Sequence, residues 1–151
     1  MEIERKFTLS SLPEHLEDYP HSELVQAYLN RFPVVRIRKA DDTYELTYKG
    51  SGLLSREEYN LPLTKEAFYH LLAKHDGNII EKTRYRIPYG KYTIELDCFH
   101  GFLEGQTLAE VEFPTEEEAL SFSPPGWFLK DVTFDPAWHN AAMAYKIPQD
   151  I

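Results

Sequence analysis

The sequence predicts an α+β fold that is mainly β, with eight antiparallel strands closing into a barrel and a few short helices beside them. Eight segments alternate in character with the period of two that strands require, and mostly turn-length connections join them. Short connections favour antiparallel pairing, and eight strands suit a closed barrel. Aromatic residues make up 14% of the chain, a composition that favours strands.

The bulk composition is that of one domain, predicted to span residues 1–151. A single cysteine, Cys98, rules out an internal disulfide, and no apolar run is long enough for a signal peptide or a bilayer span. These features predict a cytoplasmic protein that does not enter membranes. The formal net charge of -9 opposes binding to nucleic acid, so a polyanionic ligand would need a local cluster of cations.

The first predicted strand, residues 2–7, carries charge on one face. Glu2, Glu4 and Lys6 occupy alternate positions, so two carboxylates and an ammonium project to the same side. Neighbouring carboxylates repel one another unless a cation lies between them. The pattern therefore indicates either a metal ion beside the lysine or a solvated face. Residues 10–20 have the composition of a loop with one helical turn.

The next four strands continue the alternation, and they are predicted over residues 22–30, 34–38, 44–49 and 56–61. Arg36 and Arg38 share one face of the third strand, while Lys49 lies on the polar face of the fourth. A tight turn at Asp41-Asp42 makes these two strands a hairpin with a charged face. Glu58 is the acidic candidate on the fifth strand.

The last three strands are predicted over residues 79–87, 92–99 and 107–113. They also carry charged residues on one face, with basic residues on one strand and acidic residues on the other two. The sixth strand places three basic residues on one face, namely Lys82, Arg84 and Arg86. The seventh and eighth strands each place an acidic pair on one face, and these pairs are Glu95 with Asp97 and Glu110 with Glu112.

Capping signals predict three short helices. Thr64 is a good N-cap for an amphipathic helix that ends near residues 75–77. Thr115 caps a helix over residues 115–122 whose first turn holds three glutamates, where the helix dipole favours acids. Pro136 at the first helical position begins a C-terminal helical tail over about 135–146.

Periodicity alone leaves two arrangements of the charged faces open. If they point inward, the barrel interior must be wet and occupied, because buried ions without partners cost several kcal/mol each. If they point outward, the opposite faces must supply the core, yet those faces carry Arg5, Glu57 and Glu81. Like charges also cluster on neighbouring strands, whereas a solvated surface normally intersperses them.

Taken together, the charged segments resemble the CYTH superfamily, the triphosphate tunnel metalloenzymes. Residues 2–6 are similar to the Glu-x-Glu-x-Lys signature of that family. Further similar segments follow in family order: Gln26-Ala27-Tyr28-Leu29, Arg36-Ile37-Arg38, Thr47-Tyr48-Lys49-Gly50, Arg56-Glu57-Glu58-Tyr59, Lys82-Thr83-Arg84-Tyr85, Glu95-Leu96-Asp97 and Glu110-Val111-Glu112-Phe113. The resemblance covers residues 2–146 and is strongest to the short bacterial inorganic triphosphatases.

The resemblance implies a tunnel that binds triphosphate compounds with basic side chains and Mg²⁺ or Mn²⁺ with carboxylates. Arginines pair well with phosphate oxygens, and hard cations prefer oxygen ligands. The implied phosphate-binding residues are Lys6, Arg36, Arg38, Lys49, Lys82 and Arg84, and a shared strand face adds Arg86. The implied metal ligands are Glu2, Glu4, Glu110 and Glu112, with Glu58 and Asp97 either holding a second metal or orienting basic residues. Lys6 and Tyr28 are implied to act together in catalysis, the lysine lowering the pKa of the tyrosine or itself serving as the base.

The favoured reaction is divalent-metal-dependent hydrolysis of inorganic tripolyphosphate, with ATP and other nucleoside triphosphates as further substrates. A class IV-type adenylate cyclase and a thiamine triphosphatase are the alternative enzymes, and a non-catalytic phosphopolymer-binding module is the alternative of another class. The glutamates favour an enzyme.

The sequence departs from the family pattern at three places. Ala27 replaces a glycine, Asn60 replaces an acid, and the tail is less basic. A homodimer is left open.

Overall fold

Antiparallel strands dominate the computed structural model, which describes residues 1–146. The strands are β1 (Glu2–Leu9), β2 (His21–Asn30), β3 (Val34–Ala40), β4 (Thr43–Lys49), β5 (Ser55–Arg56), β6 (Glu58–Pro62), β7 (Asp76–Tyr89), β8 (Tyr92–His100), β9 (Thr107–Glu112) and β10 (Phe128–Asp131). The α-helices are α1 (Lys65–Leu72), α2 (Glu116–Ser121) and α3 (Asn140–Ala144), and 3₁₀ turns cover Leu16–Asp18, Gly101–Leu103 and Pro136–Trp138. The last five residues of the predicted domain, 147–151, lie outside the described residues.

The strands form one sheet in the order β10-β1-β9-β8-β7-β2-β3-β4-β6, and every pair is antiparallel. The short strand β5 pairs with β1, while β6, which follows it after Glu57, pairs with β4. The predicted antiparallel, mainly β fold is therefore confirmed. Among residues 1–146 the backbone hydrogen bonds do not close the sheet into a ring, so the predicted closed barrel is not confirmed.

The structure differs from the predicted strands at three places. The predicted strand 56–61 is divided into β5 and β6, because its two parts pair with different neighbours on either side of Glu57. Strand β7 begins at Asp76 rather than residue 79, where Gly77 adopts a φ of 63° beside a register shift against β2. Strand β10 was not predicted, and it pairs irregularly with the second half of β1.

The predicted tail helix is also divided. Residues 136–138 form a 3₁₀ turn, His139 is extended with ψ 139°, and α3 begins at Asn140. Asp135 caps the first turn through its side chain, which accepts a hydrogen bond from Ala137 N. The second piece can therefore pack at its own angle against the sheet.

The charged face of the sheet points inward, so the arrangement with charges in bulk solvent around a dry apolar centre is wrong. Lys6, Lys82 and Asp97 are at most 2% exposed. Helices α1 and α2 cover the apolar residues of the opposite face, whereas α3 packs on the charged face beside Ile80 and Phe99. Phe68 of α1 packs on Ala27 and Ile37, and α2 contributes to a second apolar cluster over β8 and β9.

No helix within residues 1–146 is long and apolar enough to cross a membrane. The predicted cytoplasmic location and the question of a homodimer stay predictions.

Candidate active site

A polar cavity of about 150 Å³ lies between the strands. Side chains from each of the strands β1 to β9 reach it because the alternate residues of each strand face the same side of the sheet. Those of the predicted site residues that line it are Glu2, Glu4, Lys6, Tyr28, Arg36, Arg38, Lys49, Glu58, Lys82, Arg84, Glu110 and Glu112. Strands far apart in sequence thus deliver most of the predicted site to one place.

The carboxylates of β1 and β9 form an acidic wall, defined here as Glu2, Glu4, Glu110 and Glu112. Lys6 Nζ lies 2.6 Å from Glu4 Oε1 and 3.1 Å from Glu110 Oε1. Lys49 Nζ lies 3.0 Å from Glu2 Oε1 and 3.3 Å from Glu58 Oε2. Burial by itself lowers the pKa of Lys6, but Glu110 and Glu4 outweigh it and raise that pKa above its ordinary value. Lys6 is therefore held as an ammonium ion.

Arg36 and Arg38 of β3, with Lys82 and Arg84 of β7, form a basic wall. Arg36 Nη2 donates to Thr47 Oγ1 over 3.0 Å, and within residues 1–146 its buried Nε has no hydrogen-bond partner. The nearest carboxylate oxygen to Arg36, on Glu45, is 3.9 Å away.

Arg38 has still less compensation for its charge. Its Nε donates to Gln26 Oε1 over 2.9 Å, and no carboxylate among residues 1–146 lies within 4.0 Å of its guanidinium. Burial, followed by repulsion from Arg36 and Arg84, lowers the pKa of Arg38 to about 9, at which it is still cationic at neutral pH. This part of the cavity therefore has donors and positive charge that an anion could satisfy.

The acidic wall has the donor chemistry of a divalent cation site. Glu4 and Glu112 are directly opposite in the β1–β9 register, where like charges repel. Burial, then the nearby Glu2 and Glu4, raise the pKa of Glu112. A hard cation would relieve this repulsion, since Mg²⁺ and Mn²⁺ prefer oxygen ligands. In the described part of the chain no three acidic, His or Cys side chains are already gathered for a metal, and lysines contact Glu4 and Glu2 of the acidic wall.

Residues 1–122, which contain both walls of the cavity, match the CYTH domain. The chain belongs to the CYTH domain family. The predicted family is thus confirmed. Two curated relatives are similar to this chain over nearly their full length. An inorganic triphosphatase of Nitrosomonas europaea is 40% identical over 154 residues, covering 97% of this chain and 99% of the relative.

Two further comparisons agree with that CYTH relative. An inorganic triphosphatase of Acetivibrio thermocellus is 34% identical over 148 residues, covering 93% of this chain and 90% of the relative. A crystal structure of an inorganic triphosphatase aligns with a TM-score of 0.73 at 34% identity, covering 98% of this chain and 97% of that one. The chain therefore shares its fold with this solved structure.

Two predicted site residues do not line the CYTH cavity. Asp97 is fully buried behind the basic wall, where it accepts from Arg84 Nε over 2.8 Å and lies 2.8 Å from Lys82 Nζ. Arg86, farther along β7, donates to Ser22 Oγ over 3.0 Å. Asp97 therefore contacts two basic residues, and its role in orienting them, one of the two that the sequence left open, stays a prediction.

Tyr28 lines the CYTH cavity and is 2% exposed, but no hydrogen bond among the described residues joins it to Lys6. Burial raises the pKa of Tyr28, and the opposing influence of Arg36 and Arg38 does not cancel this. The two predicted catalytic residues thus share a cavity without forming a pair.

Sequence reasoning missed three polar residues of the CYTH cavity: Arg56, Asn60 and Asn140. Arg56 and Asn60 alternate with Glu58, so the strand period could have placed all three on one face. Asn140 follows a break in the tail, and its Oδ1 meets Lys82 Nζ at 2.8 Å. Only the tertiary path of the tail brings it there, and no local pattern indicates it.

Proposed function

We propose that this protein hydrolyses inorganic tripolyphosphate to phosphate and pyrophosphate in the CYTH cavity. The observation that carries the proposal is the pair Arg36 and Arg38. Both face the cavity with no carboxylate oxygen of the described residues closer than 3.9 Å, and the buried Nε of Arg36 has no partner among those residues. Such guanidinium groups match phosphate oxygens two at a time. The names of the relatives from Nitrosomonas europaea and Acetivibrio thermocellus support the same reaction.

The basic wall would bind the phosphate chain, while the acidic wall would hold a divalent cation. We infer that Glu2, Glu4, Glu110 and Glu112 ligate Mg²⁺ or Mn²⁺, with Glu58 beside them. When bound, such an ion neutralises charge on phosphoryl oxygens and polarises the phosphorus they surround. Side chains of the protein itself fix the substrate between the two walls, which reduces the entropic cost of reaction.

In the proposed reaction, water attacks a terminal phosphorus in line with the bond to the bridging oxygen. That bond breaks, and its electron pair leaves with pyrophosphate. The ammonium of Lys6 and the guanidinium of Arg84, which both line the cavity, would stabilise charge on the departing oxygens. The phenolate form of Tyr28 is the candidate acceptor of the water proton. Because the raised pKa of Tyr28 makes this form scarce at neutral pH, the rate should increase into the alkaline range.

We infer that the sheet encloses the substrate as a tunnel although its backbone ladder is not continuous. Side chains bridge the gap where β5 and β6 change neighbours. Lys49 of β4 contacts Glu2 of β1 at 3.0 Å, and Arg56 of β5 approaches Glu2 Oε1 at 3.5 Å. These ion pairs support closure of the tunnel by side chains.

The test is to incubate the protein with tripolyphosphate, ATP and thiamine triphosphate, each with Mg²⁺, Mn²⁺ or EDTA, and to measure the products. We expect phosphate and pyrophosphate in equal amounts from tripolyphosphate, with EDTA abolishing turnover. Pyrophosphate with cyclic AMP from ATP would instead identify a cyclase. Tight binding without products would identify a binding module.

A variant assay ties the activity to the basic wall. Arg38→Gln should lower kcat/KM for tripolyphosphate about a hundredfold, because a charged donor at the phosphate chain is lost. Lys130→Gln, which removes the same charge from an exposed position on β10, is the matched control and should leave kcat/KM unchanged. Equal activity of both variants would exclude Arg38 from the site.

A further inference from the structure

We propose that Asn140, the first residue of α3, is a positioning residue that holds two cations of the basic wall. The tail would then be part of the triphosphate site. This inference rests on the proposed function, because it concerns how the same cavity binds its phosphate chain. Asn140 lines the cavity although it lies beyond the segment that matches the CYTH domain.

One oxygen of Asn140 connects both cations. Its Oδ1 accepts a hydrogen bond from Lys82 Nζ over 2.8 Å and another from Gln26 Nε2 over 3.0 Å. Gln26 is fully buried, and its Oε1 accepts from Arg38 Nε over 2.9 Å. Asn140 therefore contacts Lys82 directly and reaches Arg38 through one buried amide.

Removing this oxygen would free both cations from their present positions, Lys82 by the loss of an acceptor and Arg38 by the rotation of Gln26. Lys82 Nζ is held between Asn140 and Asp97, each at 2.8 Å, and a flexible lysine keeps one position only while such acceptors fix it. Gln26 Nε2 would become a buried donor without a partner, a costly state that its amide can escape by rotating. Rotation would withdraw Oε1 from Arg38, whose guanidinium has no carboxylate within 4.0 Å among residues 1–146.

The neutral amide also suits an anion site better than an acid would. A carboxylate at this position could accept the same two hydrogen bonds, but it would cancel positive charge that the phosphate chain needs. The asparagine fixes the geometry without adding a negative charge beside Lys82 and Arg38. Within residues 1–146, no group accepts from Asn140 Nδ2, which leaves this donor for a phosphate oxygen.

The tail has a separate anchor, so its attachment can be tested apart from the positioning. Asn78 of β7 donates from Nδ2 to the carbonyl oxygens of Ala144 and Lys146 over 3.2 and 2.8 Å. Asn78 does not line the cavity. Asn78→Ala therefore weakens the attachment of the tail without touching the basic wall, and it is the matched control for changes at Asn140.

The experiment measures the Kd of tripolyphosphate in EDTA by calorimetry, and kcat and KM with Mg²⁺, for the full-length protein and three variants. Asn140→Ala should raise Kd and KM about tenfold with kcat within threefold, as expected when ground-state and transition-state binding fall together. Asn140→Asp should keep the thermal stability of the wild type but bind more weakly at low salt, the deficit shrinking as salt is added. Asn78→Ala should lower the Tm while its Kd stays within twofold.

Two outcomes would overturn the proposal: a Kd for Asn140→Ala within twofold of the wild type, or an equal loss of binding in Asn78→Ala. The second result would mean that tail attachment alone matters. The proposed function is judged separately. If the wild type binds tripolyphosphate without hydrolysing it, the proposed function fails, while the Kd values still decide the role of Asn140.

Discussion

Among single residues, Asp97 shows how the cavity keeps its cations. Arg84 donates to it twice, over 2.8 and 2.9 Å, and Lys82 approaches at 2.8 Å in an environment closed to solvent. Asp97→Asn would remove the carboxylate nearest to both cations, and among residues 1–146 Lys82 has no other carboxylate within 4.0 Å, so we expect the free energy of unfolding to fall by about 3 kcal/mol. Urea unfolding at pH 7 measures this loss, and the exposed Asp42→Asn is the control.

Lowering the pH should remove the stabilisation that the Asp97 carboxylate gives to the wild-type protein. Burial raises the pKa of Asp97, but Arg84 and Lys82 prevail and hold it below its ordinary value. As pH falls, the unfolded chain therefore takes up this proton first, near its pKa of about 3.9. The stabilisation is complete above about pH 4 and is lost as pH drops through the folded pKa. The difference in the free energy of unfolding between the wild type and Asp97→Asn should therefore become smaller below about pH 4. A difference that stays constant with pH would contradict a stabilising role for the Asp97 carboxylate.

Among the elements, β1 and β9 bring like charges together. Glu4 and Glu112 are opposite in register, so Glu112→Gln removes a repulsion that costs about 0.5 kcal/mol across an antiparallel pair. In EDTA the variant should therefore be more stable than the wild type by roughly that amount, while its affinity for Mn²⁺ should fall about tenfold. Chemical denaturation and Mn²⁺ titration measure the two effects. Glu14→Gln, at an exposed loop position, should change neither, and unchanged Mn²⁺ affinity in Glu112→Gln would remove this residue from the metal site.

The elements also show what local sequence could and could not predict. Strand alternation correctly grouped the charged residues of β1, β3 and β9 on one face, because a period of two leaves little choice once one residue is placed, but it left open whether that face points inward. It could not predict β10, since four residues after Pro124-Pro125-Gly126 form a strand only where the second half of β1 offers a free edge. Likewise, Arg56 and Glu58 lie in one extended segment that pairs with two different strands, which is a property of the assembled sheet.

For the whole molecule, the charged interior lowers the stability of the fold but provides a binding site for an anion. Its buried lysines, arginines and carboxylates were removed from water on folding, and a dry apolar centre of the same volume would cost less. The basic wall keeps positive charge that the protein itself leaves unbalanced at Arg38. A polyanion that enters the cavity restores that balance, and it can do so only in the folded state, where strands distant in sequence meet.

Tripolyphosphate should therefore stabilise the folded protein even when EDTA prevents turnover. At one hundred times its Kd the ligand adds about 2.7 kcal/mol to the free energy of unfolding, a Tm increase of about 5–10 °C for a domain of this size. Differential scanning fluorimetry measures the shift, and sulfate at equal ionic strength is the control for general salt effects. Arg38→Gln should lose most of the shift, whereas Lys130→Gln should keep it. If sulfate raised the Tm as much as tripolyphosphate does, the cavity would have no preference for a phosphate chain, and the basic wall would be a structural network alone.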